Sequence, residues 1–190
     1  MKCLLCKKFT LIHICKECRQ RFLRPSLYRR TLPSGVEVIS FYKYNEIKEL
    51  LHTKHTPLGY HVFTILAKIS LKHFAKEFSV AKPVAVLGID EQIIQGYSHT
   101  AILAHSLKTA LLRPCHGKLL AKNRLSYSGK SKSFRQNNPR NFEVAPFSYE
   151  TLILIDDIIT TGTTLNEAVE TLRKKKKQTL LCLTLATAKH

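Results

Sequence analysis

Apolar residues recur along this chain in two rhythms. In the first, aliphatic residues run together without a charged break, from Val84 to Leu87 between Pro83 and Gly88, from Leu152 to Ile155, and from Thr179 to Ala186. A strand with one wet face would alternate apolar and polar residues, so these runs predict strands covered on both faces. In the second rhythm, apolar residues return every three or four positions. Val62, Ile65, Leu66 and Ile69 predict a long helix from Pro57 to about Phe78. Leu103, Leu107, Ala110 and Leu111 predict one over Ser98–Leu112, and Leu165, Ala168, Val169 and Leu172 a third. Val36 to Tyr44 reads as a strand rich in aromatic and β-branched residues, and Glu46 to Lys54 as a short helix. Strand and helix alternate, which predicts an α/β fold: a parallel sheet flanked by helices. The turn at Pro33, Ser34 and Gly35 divides the chain into a small N-terminal module, 1–32, and a main domain, 33–190.

The Leu152–Ile155 run leads directly into chemistry. Asp156 and Asp157 end the expected strand, and Thr160, Thr161, Gly162, Thr163 and Thr164 follow. Small hydroxyl residues around a glycine let backbone N–H groups approach an anion closely. Thr164 and Glu167 stand at capping-box spacing, which places the loop at a helix N-terminus. There the free N–H groups and the dipole favour phosphate, while the carboxylates can accept hydrogen bonds from vicinal hydroxyls or hold Mg2+. The combination suits a sugar phosphate. No Gly-Lys-Thr follows, so an ATP-type phosphate loop is excluded. Ligands of open α/β sheets lie beyond the carboxyl ends of the strands, so the loop after Gly88 is a candidate second wall for a pyrophosphate. It carries Asp90, Gln95, Gly96, Tyr97, Ser98 and His99. Without a visible partner, His99 is expected to be a surface or helix-capping residue rather than an acid or base.

At the N-terminus, Cys3 and Cys6 are separated by two residues, and Cys15 and Cys18 repeat that spacing after an interval of eight. Two such knuckles present four thiolates to one tetrahedral ion, and four ligands leave no position for water. The expected role is therefore structural, with Zn2+ the first candidate and an iron–sulfur cluster or redox pair the alternatives. Cys115 and Cys182 lack such partners and are expected to pack as small apolar groups.

Charge narrows the choice of partner. Thirty-one Lys and Arg against thirteen Asp and Glu give +18, which points to a polyanion, nucleic acid before a membrane surface. Residues 1–30 carry Glu17 as their only acid, and Phe9, Phe22 and Tyr28 stand among the cations as stacking surfaces or core residues. Between Glu91 and Glu143 no carboxylate occurs at all. Arg124, Lys130, Lys132, Phe134, Arg135 and Arg140 make this segment the candidate nucleic-acid surface, on a long loop or hairpin with Tyr127 and Phe142 as further aromatics. Lys174 to Lys177 sit where a helix dipole already favours cations. No apolar run reaches the ~18 residues of a membrane span, and the N-terminus lacks a signal-peptide pattern, so a cytoplasmic protein is expected.

The strand, acidic pair and Thr-Thr-Gly-x-Thr loop resemble the 5-phosphoribosyl-1-pyrophosphate (PRPP) motif of type I phosphoribosyltransferases. That resemblance implies that Asp156 and Asp157 meet the ribose hydroxyls and that Thr160 to Thr164 hold the 5′-phosphate. The four-cysteine knuckle, Tyr42-Lys43-Tyr44, the Gly-Tyr loop and the basic Arg135–Phe142 segment extend the likeness over nearly the whole chain, to the ComF family. The resemblance implies a phosphoribosyltransferase-like fold and a role in natural transformation and the handling of incoming single-stranded DNA. It also implies helicase or recombination proteins as partners, and a cytoplasmic location that extends to the inner face of the membrane. It leaves two activities open: binding of PRPP alone, or Mg2+-dependent phosphoribosyl transfer. Where the family has an Arg-Gly-Phe-Asn segment, this chain has Gln95-Gly96-Tyr97-Ser98.

Overall fold

The computed structural model describes residues 1–90, 93–123, 134 and 137–188. Its strands are β1 (Tyr28–Thr31), β2 (Glu37–Lys43), β3 (Val84–Gly88), β4 (Leu112–Pro114), β5 (Leu119–Ala121), β6 (Phe142–Val144), β7 (Thr151–Ile159) and β8 (Gln178–Thr187). Six of them form one sheet in the order β1-β2-β8-β7-β3-β4, and β5 pairs with β6 separately. Every pairing in the large sheet is parallel except β1 with β2, which join through the Pro33–Gly35 turn. That turn therefore links two strands of the same sheet.

Both faces of the sheet are buried, which is why its central strands read as unbroken apolar runs. Ile153 and Ile155 of β7, Val84 and Val86 of β3, and Leu183 and Leu185 of β8 face one cluster. Leu152 and Leu154, Ala85 and Leu87, and Cys182 face the other. The first face is covered by α2 (Tyr44–Leu51), α3 (Pro57–Ile69), α4 (Leu71–Glu77) and α5 (His99–Ser106). The cysteine module, whose helix α1 spans Lys16–Phe22, adds Cys3, Ile14, Cys18 and Leu23 to that same core. The second face is covered by α6 (Thr163–Lys174) and the β5–β6 pair. At roughly 1.5–3 kcal/mol for each fully buried aliphatic side chain, these two layers supply most of what holds the sheet.

Several expected boundaries move, each for a local reason. The helix after Pro57 is interrupted at Ser70, whose buried hydroxyl donates to the Leu66 carbonyl at 2.7 Å and competes with the regular ladder. The helix expected over Ser98–Leu112 ends at Ser106, because Thr109 Oγ1 accepts from the N–H groups of Leu111 and Leu112 and turns the chain into β4. Residues 52–55 leave α2 as a 3-10 turn. The strand expected over Leu152–Ile155 continues to Ile159, since Asp156 and Ile158 stay in register with Thr184 and Ala186 of β8.

Candidate functional site

The loops after β3 and β7 meet at the carboxyl edge of the sheet, and β7 brings the two carboxylates there. Adjacent strand residues point to opposite faces, yet oxygens of Asp156 and Asp157 and a ring nitrogen of His99 all lie within 4.8 Å of one another. Asp156 Oδ1 folds back to accept from the Asp157 N–H at 2.8 Å, which brings it alongside. Asp157 is 6% exposed and is met by Lys54 Nζ at 2.9 Å, with His99 Nε2 4.0 Å from the same oxygen.

These contacts set the protonation of the cluster. Burial opposes the ionised form of Asp157, but the Lys54 ammonium and His99 hold its carboxyl below the usual range. Asp156 moves well above that range, because it is buried and faces the charge of Asp157. Burial alone would lower Lys54, yet Asp157 more than offsets it and the ammonium titrates above its ordinary value. Burial lowers His99 despite Asp157, and burial together with Lys54 lowers His55, whose ring lies edge-on to His99 at 6.4 Å. The site therefore presents an Asp157 held toward its carboxylate, an Asp156 held toward its neutral acid, the Lys54 ammonium and a His99 imidazole held toward its neutral form.

Lys54 and the role of His99 were not legible in the chain. Lys54 sits on the 3-10 turn, held from the other wall: the Tyr97 hydroxyl donates to the Lys54 carbonyl at 2.7 Å and reaches the Thr56 carbonyl at 3.0 Å. Gly59 makes this possible, because a Cβ there would collide with Tyr97 Oη and the Thr53 carbonyl. The expectation of a surface or capping histidine is overturned, since Ser98 caps α5 and His99 turns toward Asp157. The second loop is held in place by its own contacts. Asp90 Oδ1 accepts from the Ala121 N–H and ties the loop to β5, and Gln95 and Gly96 take positive φ in a turn closed by Ile94 and Tyr97.

Thr160 to Thr164 follow β7 directly. Gly162, at φ +84°, is the N-cap of α6, so the helix begins at Thr163. The Thr164–Glu167 capping box does not form. Glu167 instead accepts from the backbone N–H groups of Arg140 and Asn141, anchoring the end of the basic segment to α6. The loop is braced by Arg30 of β1, which donates to the carbonyls of Thr160 (2.8 Å) and Thr161 (3.3 Å). Thr161 and Thr163 share a hydroxyl hydrogen bond at 2.9 Å. The Thr163 N–H also points at Thr161 Oγ1 at 3.4 Å, so an anion at this helix N-terminus would be received by exchanging these hydroxyl contacts.

The four knuckle cysteines converge. All four sulfurs lie within 4.8 Å of one another, and Cys6 Sγ is 3.8 Å from Cys15 Sγ. A tetrahedral zinc with bonds of about 2.3 Å separates its sulfurs by about 3.8 Å, so the spacing fits one such metal. Backbone N–H groups of Cys15 and Cys18 point at Cys3 and Cys15 sulfurs, as a thiolate cluster requires. Cys182 is fully buried as expected, and Cys115 is partly buried.

The candidate nucleic-acid residues divide. Arg124, Lys130, Lys132 and Arg135, with Tyr127, lie outside the described residues. Phe134 and Arg140 are partly buried, and Phe142 belongs to the core. Pairing of β5 with β6 closes the base of this segment as a hairpin. In the N-terminal region Phe9 and Phe22 are exposed, each with a cation over its ring, Lys2 at 6.0 Å and Arg21 at 5.2 Å.

No family model and no curated protein matches the chain. Solved structures do. A hypoxanthine phosphoribosyltransferase from Staphylococcus aureus shares 19% identity at a TM-score of 0.40, covering 66% of this chain and 62% of that one. An orotate phosphoribosyltransferase from Mycobacterium tuberculosis shares 15% at 0.41 over 90% and 82%, and an adenine phosphoribosyltransferase 18% at 0.42 over 88% and 89%. The chain thus spans less than two thirds of the hypoxanthine enzyme's length. Among the described residues no helix is long and apolar enough to cross a membrane.

Proposed function

We propose that this chain binds PRPP or a closely related sugar phosphate at the carboxyl edge of its sheet, and single-stranded DNA elsewhere on its basic surface. In this reading it acts in the cytoplasm, or at the inner face of the membrane, during natural transformation. Helicase or recombination proteins are its partners, and Zn2+ holds the knuckle. One observation carries the ligand assignment: an acidic pair, Asp157 buried and Asp156 partly so, leads without interruption into a hydroxyl-rich loop at the N-terminus of α6. Vicinal hydroxyls suit the first and a phosphate the second.

The acidic pair does not suit a resident dication, since Lys54 already neutralises Asp157 and Asp156 is pushed toward its neutral acid. Mg2+ enters this reading only as the companion of a pyrophosphate. Calorimetric titration of PRPP should show saturable binding that is lost in an Asp156→Asn, Asp157→Asn variant. A wild-type protein without a binding isotherm would end the assignment.

A second reading, phosphoribosyl transfer, is favoured by the neutral imidazole of His99 beside the acids. An acceptor nitrogen would form a bond to C1 of the ribose as the C1–O bond breaks, the electron pair leaving with pyrophosphate. Release of pyrophosphate with a panel of bases, absent in the double variant, tests it.

A further inference from the structure

Beside the cysteine knuckle, on the helical face of the sheet, lies an open groove of about 610 Å3. Lys16, Arg19 and Arg24 line it, and Leu23, Pro25 and Ile69 contribute its apolar surface, so it joins α1 to the end of α3. Arg24 Nε donates to the Gln20 carbonyl at 2.6 Å, which tethers the guanidinium to α1. Arg19 is partly buried at the same place, so two guanidinium groups and the Lys16 ammonium line one groove. Glu17, the acid of this helix, is turned to Lys8 at 3.4 Å.

We propose that this groove is a binding site for the phosphodiester backbone of single-stranded nucleic acid. Arginine forks match phosphate oxygens in pairs, and sequence-independent contact of this kind needs no base edges. The apolar surface and neighbouring Phe22, which is 53% exposed with the Arg21 guanidinium over its ring, suit unstacked bases. An acidic peptide would use the cations, but nucleic acid brings a planar base with every phosphate to set against Phe22 and Pro25. The groove shares no lining residue with the sugar-phosphate cleft. It makes the knuckle part of the nucleic-acid surface as well as a brace for the core. The inference rests on the single-stranded DNA part of the proposed function and deepens it.

The test is fluorescence anisotropy of a labelled 20-residue oligo(dT) with the full-length, metal-loaded chain, over a range of salt concentrations. An Arg19→Gln, Arg24→Gln variant should bind about tenfold more weakly, with a salt slope smaller by about 1.4 for two lost phosphate contacts. A Lys174→Gln, Lys175→Gln variant removes the same charge at the end of α6, on the other face, and should change affinity less than about twofold. Equal losses at both places, or none in the groove, would overturn the groove. Comparable binding of a labelled poly-Glu peptide with the same dependence on Arg19 and Arg24 would overturn it in favour of an acidic protein surface. A wild-type chain that binds no oligonucleotide at low salt would instead remove the DNA reading itself. If the arginine variant loses its metal, photo-crosslinking of a 5-iodouridine oligonucleotide to the wild type decides. Crosslinks within residues 16–25 support the site, and crosslinks confined to other segments overturn it.

Discussion

Lys54 places its ammonium 2.9 Å from the Asp157 carboxylate, across 103 positions of the chain. The pair joins the 3-10 turn after α2 to the acidic end of β7, and it decides which of the two aspartates carries the charge. A Lys54→Met variant keeps the length of the side chain and removes the cation, leaving two buried carboxyls side by side. Destabilisation of about 1–3 kcal/mol is expected at pH 8, below the range for fully buried pairs because Lys54 is partly exposed. Without the cation the Asp157 carboxyl rises above its unfolded value, and a group raised in this way loses stability as pH climbs through its folded pKa. The deficit should therefore shrink toward pH 5. Urea unfolding of both proteins at the two pH values measures it, and a pH-independent deficit would contradict the electrostatic account.

The Tyr97 clamp gives a second outcome. Tyr97→Phe removes the donor serving the Lys54 and Thr56 carbonyls and should cost about 1–2 kcal/mol. Gly59→Ala should cost at least as much, because the new methyl meets both Tyr97 Oη and the Thr53 carbonyl. The double variant should not recover, since the Thr53 carbonyl still blocks the methyl. Recovery in chemical unfolding would show that the hydroxyl alone sets the limit.

Metal removal should be felt beyond the knuckle. Cys3, Ile14, Cys18 and Leu23 share a core cluster with Val62, Leu66 and Ile153. Loosening the thiolate cluster by chelation, or by Cys15→Ser, is expected to lower Tm by at least about 5 °C. Metal analysis should find one ion per chain before treatment. Calorimetry showing an unchanged Tm with the ion gone would limit the metal to a local role.

His99 links stability to acid. Burial lowers its pKa, so the unfolded chain takes up a proton near pH 6.5 that the folded imidazole refuses. This contribution is fully present above the unfolded pKa and is lost as pH falls below it. Asp156, raised in the fold, works in the opposite direction, so the net curve alone does not isolate the histidine. Comparison with His99→Gln does. The variant should lose less stability than the wild type between pH 7.5 and 5.5, as read by denaturant midpoints.

Motifs whose chemistry is contiguous were legible before any coordinates. The apolar runs of β3, β7 and β8 announce strands buried on both faces, because they are short, rich in aliphatic residues and bounded by turns, where a buried helix would run longer. Asp156 to Thr164 place two carboxylates and a hydroxyl-rich turn within nine consecutive residues. Cys3, Cys6, Cys15 and Cys18 repeat a spacing that is read first as a metal knuckle, and the fold brings their four sulfurs together. Local boundaries were less legible, since the hydroxyls of Ser70 and Thr109 make local hydrogen bonds where helices end, which apolar periodicity does not register.

What only the tertiary structure decided is how distant residues charge one another. Lys54, Tyr97 and His99 look like ordinary polar residues in sequence, and their meaning comes from meeting Asp157 and the 3-10 turn in space. Arg30 braces the threonine loop from 130 positions away, and Glu167 serves the Arg140 backbone instead of its own helix. Sequence carries what neighbours in the chain can do together: periodic burial, a repeated cysteine spacing, an acidic pair beside a hydroxyl-rich loop. Protonation and pair formation depend on distance through a buried medium, and folding alone sets that distance.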